Sequence, residues 1–378
     1  TLALPDAAAE SQGGMPVSGL QPRPGVQRLA PYVQGQSAIE GVSKPIKLSS
    51  NESSQGPSPR AIEAYKQAAT TLNRYADGSQ WALREAIGEI HGLDPRRIIC
   101  GNGSDELIQL MARAYVGEGD EALLSENGFV MSNIHCVAQG ADLVIAPERD
   151  YRVDVDAMLE RVTEKTRFCT IANPNNPTGT YLSSDEVRAL HAGLPDNCLF
   201  LLDDAYAEYV TAADYADGRE LVDEFDNVVM TRTFSKIYGL PALRIGWAYC
   251  SESVFELVQR IRTPFNTNGP AMAAAAAAVR DTGYVEELRD FNAEWRDRIT
   301  SALSAVGIEV IPSQANFYLM RFDESSGKSG TEAAAYLQSR GIIPRPAGGS
   351  DQFLRVTIGT ADENEAVLGA LADYMGAR

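Results

Sequence analysis

The stretch TRTFSKIYGLPALRIGWAY, residues 231–249, says more about the fold than any other part of the chain. An apolar strand pattern runs into Ser235 and Lys236, and Arg244 follows eight residues after the lysine. A lysine at a strand end, near hydroxyl groups and an arginine, suits a covalent imine with an aldehyde that also bears a phosphate. A lone Ser-Lys pair would instead indicate a surface loop, so this interpretation depends on the segments around it.

On both sides of this stretch, helix and strand patterns alternate along most of the chain. Continuous apolar runs such as CLFLLDDAY (198–206) and NVVMTRTFS (227–235) are typical of strands buried on both faces of a parallel sheet. The alternation predicts an α/β architecture with a mostly parallel central sheet flanked by helices. After residue 270 the pattern changes to long helices around a strand pair near residues 308–322, which predicts a smaller α+β unit.

These patterns predict a chain of three parts. We expect an N-terminal arm over residues 1–30, a small domain from 31–72 together with 284–378, and a large domain over 73–283. The beginning of the arm is rich in Gly, Pro, Ser and Gln, which is typical of a mobile segment. It lacks the basic and apolar regions of a secretion signal.

Composition excludes several classes of protein. The chain has 378 residues, enough for about two domains, with 44% hydrophobic and 22% charged residues. Its net charge of −18 argues against nucleic acid and anionic membranes as partners. The five cysteines are scattered and match no metal or redox pattern, so we expect reduced, buried thiols in a cytoplasmic protein.

Two further segments place polar groups after apolar runs. In LLDDAYAEY (201–209), Asp203 lies at the carboxyl end of a predicted strand, which is where ligands bind in α/β sheets. A buried carboxylate there needs a cationic partner, such as a pyridinium nitrogen, although a helix N-cap is the alternative. In NPNNPTG (173–179), two X-Pro steps and a glycine predict a rigid turn that presents amide side chains.

Two more segments suggest anion binding. GNGSDELIQL (101–110) leads from a glycine turn into a helix whose first amides could hold a phosphate, or it is a capping turn alone. It does not complete the GxGxxG pattern of dinucleotide sites. In FLRVTIGT (353–360), Arg355 within an apolar strand needs either a bidentate anion such as a carboxylate or an internal salt bridge.

Taken in this order and spacing, the segments resemble the fold-type I pyridoxal-phosphate (PLP) enzymes, and specifically the histidinol-phosphate aminotransferase family. The resemblance runs from about QRLAPY, at residue 27, to the C-terminus. It implies PLP as the cofactor and a ping-pong exchange of an amino group between histidinol phosphate and 2-oxoglutarate through a pyridoxamine intermediate. The partners implied are therefore a small amino donor and a 2-oxo acid acceptor.

The resemblance also implies a role for individual residues. Lys236 would form the Schiff base and act as acid and base, and Asp203 would pair with the pyridine nitrogen. Asn176 and Tyr206 would bond to the ring oxygen, and Phe129 would stack on the ring. The phosphate would be held by the backbone amides of Ser104 and Asp105 and by the side chains of Thr233, Ser235 and Arg244.

On the substrate side, the resemblance implies that Arg355 grips a carboxylate or the equivalent end of the substrate. Arg345 and Tyr32, together with Asn176, would line the rest of the substrate pocket. Tyr75, in LNRYADG, matches a tyrosine that reaches the phosphate of the neighbouring subunit. The resemblance therefore implies a homodimer with shared active sites.

Departures from the family pattern leave the substrate open. Ser53, Asn127 and Ser132 stand where the family commonly has other residues, and we expect them on the substrate side; Asp204 gives DDAY in place of DEAY. A second reading is an aromatic or broad-specificity amino-acid aminotransferase in which Arg355 binds the α-carboxylate. A third is a PLP-dependent decarboxylase of an amino-acid phosphate.

Other classes of function find little support. A ligand-sensing regulator on this fold would carry a DNA-binding module and a basic region, and a non-catalytic binding protein would be expected to have lost the lysine or the aspartate. No spacing of residues suggests a metal site. The three histidines, His91, His135 and His191, lie in helical patterns without a partner motif, and we expect surface or packing roles for them.

Overall fold

The computed structural model describes residues 19–347 and 350–376. Much of the predicted arm lies outside the described residues. The expectations about its composition and its lack of a secretion signal concern that part. The described part of the arm includes a short helix, α1 (Pro24–Gln27). Gly25 of this helix is buried against the backbone of Val137 and Gly140, which leaves no room for a side chain.

Helices flank the sheets along the whole described chain, and most begin at a Ser, Thr, Asp or Asn cap or at a proline. The remaining α-helices are α2 (Pro59–Ala68), α3 (Trp81–His91), α4 (Ser104–Tyr115), α5 (Val130–Gln139), α6 (Val155–Leu159), α7 (Ser184–Ala192), α8 (Arg219–Glu224), α9 (Glu252–Ile261), α10 (Gly269–Arg280), α11 (Thr282–Ala305), α12 (Gly330–Ser339) and α13 (Ala361–Met375).

The strands fall where the apolar runs predict them, with a few short additions. They are β1 (Ile46–Lys47), β2 (Ile98–Gly101), β3 (Glu121–Ser125), β4 (Asp142–Ala146), β5 (Glu148–Arg149), β6 (Arg152–Val153), β7 (Thr166–Ala172), β8 (Leu199–Asp203), β9 (Val228–Thr233), β10 (Gly246–Cys250), β11 (Glu309–Ile311), β12 (Phe317–Arg321), β13 (Ile342–Ile343), β14 (Arg345–Pro346) and β15 (Phe353–Thr357).

A seven-stranded sheet forms the centre, in the order β2-β10-β9-β8-β7-β3-β4. The five strands from β9 to β4 are parallel, and β10 runs antiparallel between β9 and β2. A four-stranded antiparallel sheet, β11-β12-β15-β14, belongs to the C-terminal part of the chain. The predicted mostly parallel sheet with a smaller α+β unit is confirmed.

The core explains why the central strands are apolar without alternation. In β8, Phe200 and Leu202 pack in one buried cluster, whereas Leu199 and Leu201 pack in another. Because successive side chains point to opposite faces of a strand, the sheet is covered by helices on both sides. A third cluster, which includes Tyr318, lies between the four-stranded sheet and helices α11, α12 and α13.

The predicted domain boundaries remain a prediction, and the packing does not follow them everywhere. Helix α2, placed in the small domain by the sequence, buries Ala61 in the same cluster as α3 and α10. Helix α11 contributes Leu288 to that cluster and Trp295 to the cluster of the four-stranded sheet. Within residues 19–347 and 350–376, no helix combines the length and apolar character needed to cross a membrane.

A buried ion cluster lies beside the centre of the sheet. Arg232 of β9 is 4% exposed, and its guanidinium is 3.0 Å from Glu208 and paired also with Asp217. The arginine also lies over the Trp247 ring, 5.7 Å from its centroid. Two carboxylates and an aromatic face thus satisfy a charge that would otherwise be costly to bury.

Candidate active site

The predicted site residues meet at the carboxyl edge of the parallel strands, where ligands bind in α/β sheets. Asp203 ends β8 and Thr233 ends β9. The turn 173–179 follows directly after β7, and Ser104 begins α4 just after β2. Residues far apart in the sequence are therefore brought to one edge by the sheet order.

Asp203 is a buried carboxylate, 5% exposed, and its Oδ1 accepts a hydrogen bond of 2.9 Å from Thr231 Oγ1 on the adjacent strand. Burial raises the pKa of Asp203 to about 6, while the Thr231 hydrogen bond opposes that shift. No arginine, lysine or histidine forms an ion pair with Asp203 among the described residues. A positively charged ligand group would satisfy it.

Lys236 lies three residues beyond β9 and is partly buried. Its Nζ donates a hydrogen bond of 3.2 Å to the backbone oxygen of Ser50. The same nitrogen is 5.4 Å from the centre of the Tyr206 ring. The amine has no carboxylate partner among the described residues, so it is available to react with a carbonyl group.

Tyr206 and Asn176 present polar atoms to the same space. The Tyr206 side chain is 3% exposed, packs edge-on against Phe317 with centroids 5.2 Å apart, and accepts a hydrogen bond of 3.0 Å from Asn51 Nδ2. Asn176 Oδ1 accepts a bond of 2.5 Å from Arg355 Nη1, which leaves its amide nitrogen free to donate to a ligand.

Two arginines lie side by side on the antiparallel pair β14 and β15, where Arg345 is the register partner of Arg355. Arg355 is 8% exposed, donates to the Ser49 backbone oxygen at 2.8 Å, and keeps its Nε without a partner. Burial lowers the pKa of Arg355 to about 10. Arg345 donates to the Val33 backbone oxygen at 3.3 Å. Among residues 19–347 and 350–376 neither arginine has an acidic partner, so the internal salt bridge considered for Arg355 is not formed.

Backbone amides, hydroxyls and an arginine surround the start of α4. Gly103 precedes the helix with a φ of 89°, and a Cβ on it would lie 2.4 Å from Arg244 Nη2. Arg244 Nη1 donates to Ser235 Oγ at 3.2 Å, and the Ser235 backbone N–H donates to Thr233 Oγ1 at 3.1 Å. The first amides of a helix together with hydroxyls and a guanidinium form a suitable cradle for a phosphate.

Asp105 and Phe129 lie at the starts of two neighbouring helices. The Asp105 backbone is in the first turn of α4, and its side chain is 3.0 Å from His135 Nε2 of α5. His135 therefore pairs with a predicted site residue, which its sequence context did not suggest. Phe129 precedes α5 and lines the cleft described next.

A cleft of about 480 Å³ is lined by some of these groups, but its lining includes neither Asp203 nor the residues around the start of α4. We call it the Lys236 cleft; among the predicted residues, its walls include Tyr32, Phe129, Asn176, Tyr206, Lys236, Arg345 and Arg355. Tyr75 lies apart from it: the tyrosine is 85% exposed and stacks on Phe265, with ring centroids 4.7 Å apart. Within one subunit, Tyr75 is therefore not part of the cleft.

A larger depression of about 690 Å³ lies elsewhere, beside the β5–β6 hairpin and α7. Its two arginines are already paired, Arg149 with Asp154 and Arg152 with Glu186. It contains no lysine or buried unpaired carboxylate, so the Lys236 cleft is the better candidate for chemistry despite its smaller size.

The residues that depart from the family pattern do not lie where the sequence predicts them. Asn127 turns away from the Lys236 cleft, and its Nδ2 donates to Glu148 at 2.9 Å. Ser132 is 2% exposed within α5, and the lining of the cleft includes neither it nor Ser53. Gly128, the residue after Asn127, does line the cleft. The expectation that Ser53, Asn127 and Ser132 line the substrate side is therefore not met.

Comparison with known proteins agrees with this geometry. Residues 43–371 match the family described as aminotransferase class I and II. The chain is 49% identical to a histidinol-phosphate aminotransferase of Rhodopseudomonas palustris, over 94% of this chain and 98% of the relative. It is 49% identical to one of Paramagnetospirillum magneticum, over 94% of this chain and 99% of the relative. The chain belongs to the histidinol-phosphate aminotransferase family.

A solved structure supports the same assignment. The histidinol-phosphate aminotransferase of Sinorhizobium meliloti, crystallised in complex with pyridoxal 5'-phosphate, superposes with a TM-score of 0.86 and 28% identity. The match covers 95% of this chain and 99% of that one. This chain is accordingly a fold-type I aminotransferase, as its sequence predicts.

The residues present fit the cofactor that the family uses. Buried Asp203 calls for a cationic ring nitrogen, and the glycine turn at Gly103 with Arg244 against it forms a cradle that a Cβ would fill. Lys236 offers a primary amine for an aldehyde, and Tyr206 offers a phenol for a ring oxygen. Each chemical group of PLP thus has a complementary side chain at this edge of the sheet.

Proposed function

We propose that this aminotransferase binds PLP through Lys236 and exchanges an amino group between histidinol phosphate and 2-oxoglutarate. The observation that carries the proposal is the pair of arginines beside the reactive lysine. Arg345 and Arg355 line the same cleft as Lys236, and neither is neutralised by an acid among the described residues. Two adjacent guanidinium groups match a phosphate ester, and equally the second carboxylate of a 2-oxo diacid.

When bound, PLP supplies an aldehyde that accepts an amine and a ring that stabilises negative charge at the substrate α-carbon. Lys236 Nζ would hold the cofactor between reactions. Once free of the cofactor, Lys236 Nζ would be able to take a proton from the amine-bearing carbon of the substrate and to give it up again within the cleft. Its hydrogen bond to the Ser50 carbonyl, 3.2 Å long, would keep the amine directed into the cleft.

Asp203 would keep a proton on the ring nitrogen. Its carboxylate is buried, and a cation beside it would lower its raised pKa and keep it ionised. Tyr206 and Asn176 would each donate a hydrogen bond to the ring oxygen. The phosphate would lie against the first amides of α4, within reach of Ser235 and Arg244.

We also propose a homodimer with shared active sites in the cytoplasm. Tyr75 and Phe265, 85% and 47% exposed, stack on each other at the surface. A second subunit would cover this exposed aromatic pair. All five cysteines are buried free thiols, which is the state expected in a reducing compartment.

A half-reaction tests the substrate. Histidinol phosphate, phenylalanine and glutamate are added singly to the holoenzyme, and loss of the visible absorbance of the lysine-bound cofactor is followed. We expect histidinol phosphate to react with a kcat/KM far above that of phenylalanine. Fastest reaction with phenylalanine would favour an aromatic aminotransferase instead. Carbon dioxide released when an amino-acid phosphate is added as a fourth compound would indicate a decarboxylase.

Arg345 provides the matched variant for this test. Arg345→Ala removes a guanidinium that the substrate phosphate would contact, so kcat/KM for histidinol phosphate should fall about 10- to 100-fold, the range for a charge-assisted hydrogen bond. Phenylalanine carries no phosphate, and its reaction should change little. An equal loss for both donors would contradict a phosphate-binding role for Arg345.

A further inference from the structure

Asn51 is a buried residue that contacts Tyr206 yet belongs to none of the groups assigned above. It is 1% exposed, and its Nδ2 lies 3.0 Å from the Tyr206 hydroxyl oxygen. An amide nitrogen can only donate, so in this contact the phenol oxygen accepts. The proton of Tyr206 is then free to be donated to another group.

The orientation of the Asn51 amide is set by Thr357 of β15. The backbone N–H of Asn51 donates to Thr357 Oγ1 at 2.9 Å, so that hydroxyl accepts and its own proton must go elsewhere. Asn51 Oδ1 lies 3.3 Å from it and accepts the proton. With the amide reversed, the buried Thr357 hydroxyl would have no acceptor among the described residues, which is unfavourable.

The main chain around Asn51 is held just as firmly. Asn51 has a φ of 55°, in the left-handed region that asparagine tolerates better than most residues. Its carbonyl accepts a bond of 3.1 Å from Asn316 Nδ2. The preceding carbonyls of Ser49 and Ser50 accept from Arg355 and Lys236. Asn51 thus ends a short segment that touches three of the predicted site residues.

We propose that Asn51 is a positioning residue that fixes the direction of the Tyr206 hydroxyl proton, so that Tyr206 donates into the Lys236 cleft. The chain of donors runs from the Asn51 backbone N–H to Thr357, from Thr357 to the Asn51 amide, and from the amide to Tyr206. Donors in such a chain strengthen one another. The inference rests on the proposed cofactor, because the ring oxygen of PLP is the acceptor to which Tyr206 would donate.

The direction in which Tyr206 donates its proton has a measurable consequence. A hydrogen bond from Tyr206 stabilises negative charge on the ring oxygen. That oxygen can also accept a hydrogen bond from the protonated Lys236 nitrogen, so the two donors compete for it. A stronger donor therefore lowers the pH at which the visible absorbance of the lysine-bound cofactor changes. Among the described residues, the charged or titratable groups that interact with Tyr206 are Lys236, Arg355 and Tyr209, and none of them is altered in the test.

The test is a spectroscopic pH titration of a double-mutant cycle. Asn51→Gly removes the donor, adds no charge and tolerates the positive φ; Tyr206→Phe removes the hydroxyl. We expect Asn51→Gly to raise the absorbance midpoint by about half to one pH unit, the size of one hydrogen bond. In the Tyr206→Phe background the same substitution should leave the midpoint unchanged.

A second variant guards against misfolding at position 51. Thr357→Val keeps the shape of a β-branched strand residue but removes the hydroxyl that orients the amide, and it should raise the midpoint in the same direction. Equal shifts with and without the Tyr206 hydroxyl, or no shift in either variant, would overturn the inference. Failure of the wild-type protein to develop the absorbance at all would instead refute the proposed cofactor site.

Discussion

At the scale of single residues, Asp203 shows how a site can work against the stability of the fold. Its folded-state pKa of about 6 lies above the ordinary value of 3.8, because burial disfavours the charged form. The charged carboxylate therefore destabilises the folded chain without cofactor; this penalty grows as the pH rises from 3.8 to about 6 and is constant at higher pH. A bound cation would remove the penalty.

Asp203→Asn should separate stability from activity. At pH 8 the cofactor-free variant should unfold at the same or a higher temperature than the parent, and the difference should shrink as the pH falls below about 6 and vanish below the ordinary pKa of 3.8. Turnover should fall about 100- to 1,000-fold, because the ring nitrogen loses its anionic partner. Thermal unfolding and steady-state rates measure the two effects. A clear loss of stability at pH 8 with turnover retained would contradict this account.

Single residues also show where sequence reasoning ends. Lys236 and Asp203 could be predicted because each follows an apolar run, and a reactive or charged residue there is unusual. Asn51 could not be assigned a role, since its partner Thr357 is 306 positions away and nothing local marks the contact. Thr231 is similar: its hydrogen bond to Asp203 depends on the register of β8 and β9.

At the scale of elements, the turn between β2 and α4 depends on a glycine for two reasons. Gly103 has a φ of 89°, and the guanidinium of Arg244 occupies the space where its Cβ would lie. The close approach lets the arginine lie directly against the start of α4. Another glycine turn, at Gly119, has the same φ of 89° but has no atom within 4 Å of its Cβ position.

These two glycines form a matched pair for mutation. Gly103→Ala should displace Arg244 and weaken PLP binding by about tenfold or more, the loss of one charge-assisted hydrogen bond. Gly119→Ala introduces the same backbone strain without touching the site, so its PLP affinity should stay at the parent level. Cofactor titration followed by absorbance gives both affinities. Equal weakening in the two variants would show that strain alone is responsible.

Several elements are not predicted from the sequence, for physical reasons. The β5–β6 hairpin is short and charged. Its turn places Asp150 and Tyr151 at positive φ, and the turn contains no glycine that would predict this conformation. Helix α9 begins at the Ser251 N-cap directly after β10, so no loop separates the strand from the helix. The two-residue strand β14, which carries Arg345, is too short for any periodicity to show.

At the scale of the whole molecule, the layers follow from apolar patterns, but the assembly does not. The alternation of helices and strands was sufficient to predict the parallel sheet and the smaller C-terminal unit. Within one chain the Tyr75 ring stacks on Phe265 but stays 85% exposed. A partner subunit would explain both its exposure and the aromatic face it shares with Phe265.

Mixed dimers test whether the sites are shared. Tyr75→Ala should bind PLP about tenfold more weakly, because the phosphate of the cofactor bound in the other subunit loses a hydrogen-bond donor. Mixing it with Lys236→Ala subunits, which keep Tyr75, should restore tight binding at the site with an intact lysine. Phe225→Ala, which alters an exposed ring packed against His191, serves as the control. No gain on mixing, or a monomeric mass in solution, would contradict shared sites.

The central claim is that Lys236 holds the cofactor, and peptide mapping tests it directly. The holoenzyme is reduced with borohydride, which fixes PLP to whichever lysine carries it, then digested and analysed by mass spectrometry. We expect the phosphopyridoxyl mass on Lys236, within the segment 231–249, and on no other lysine. A label on a different lysine, or no label on Lys236 in protein that shows the cofactor absorbance, would contradict the account.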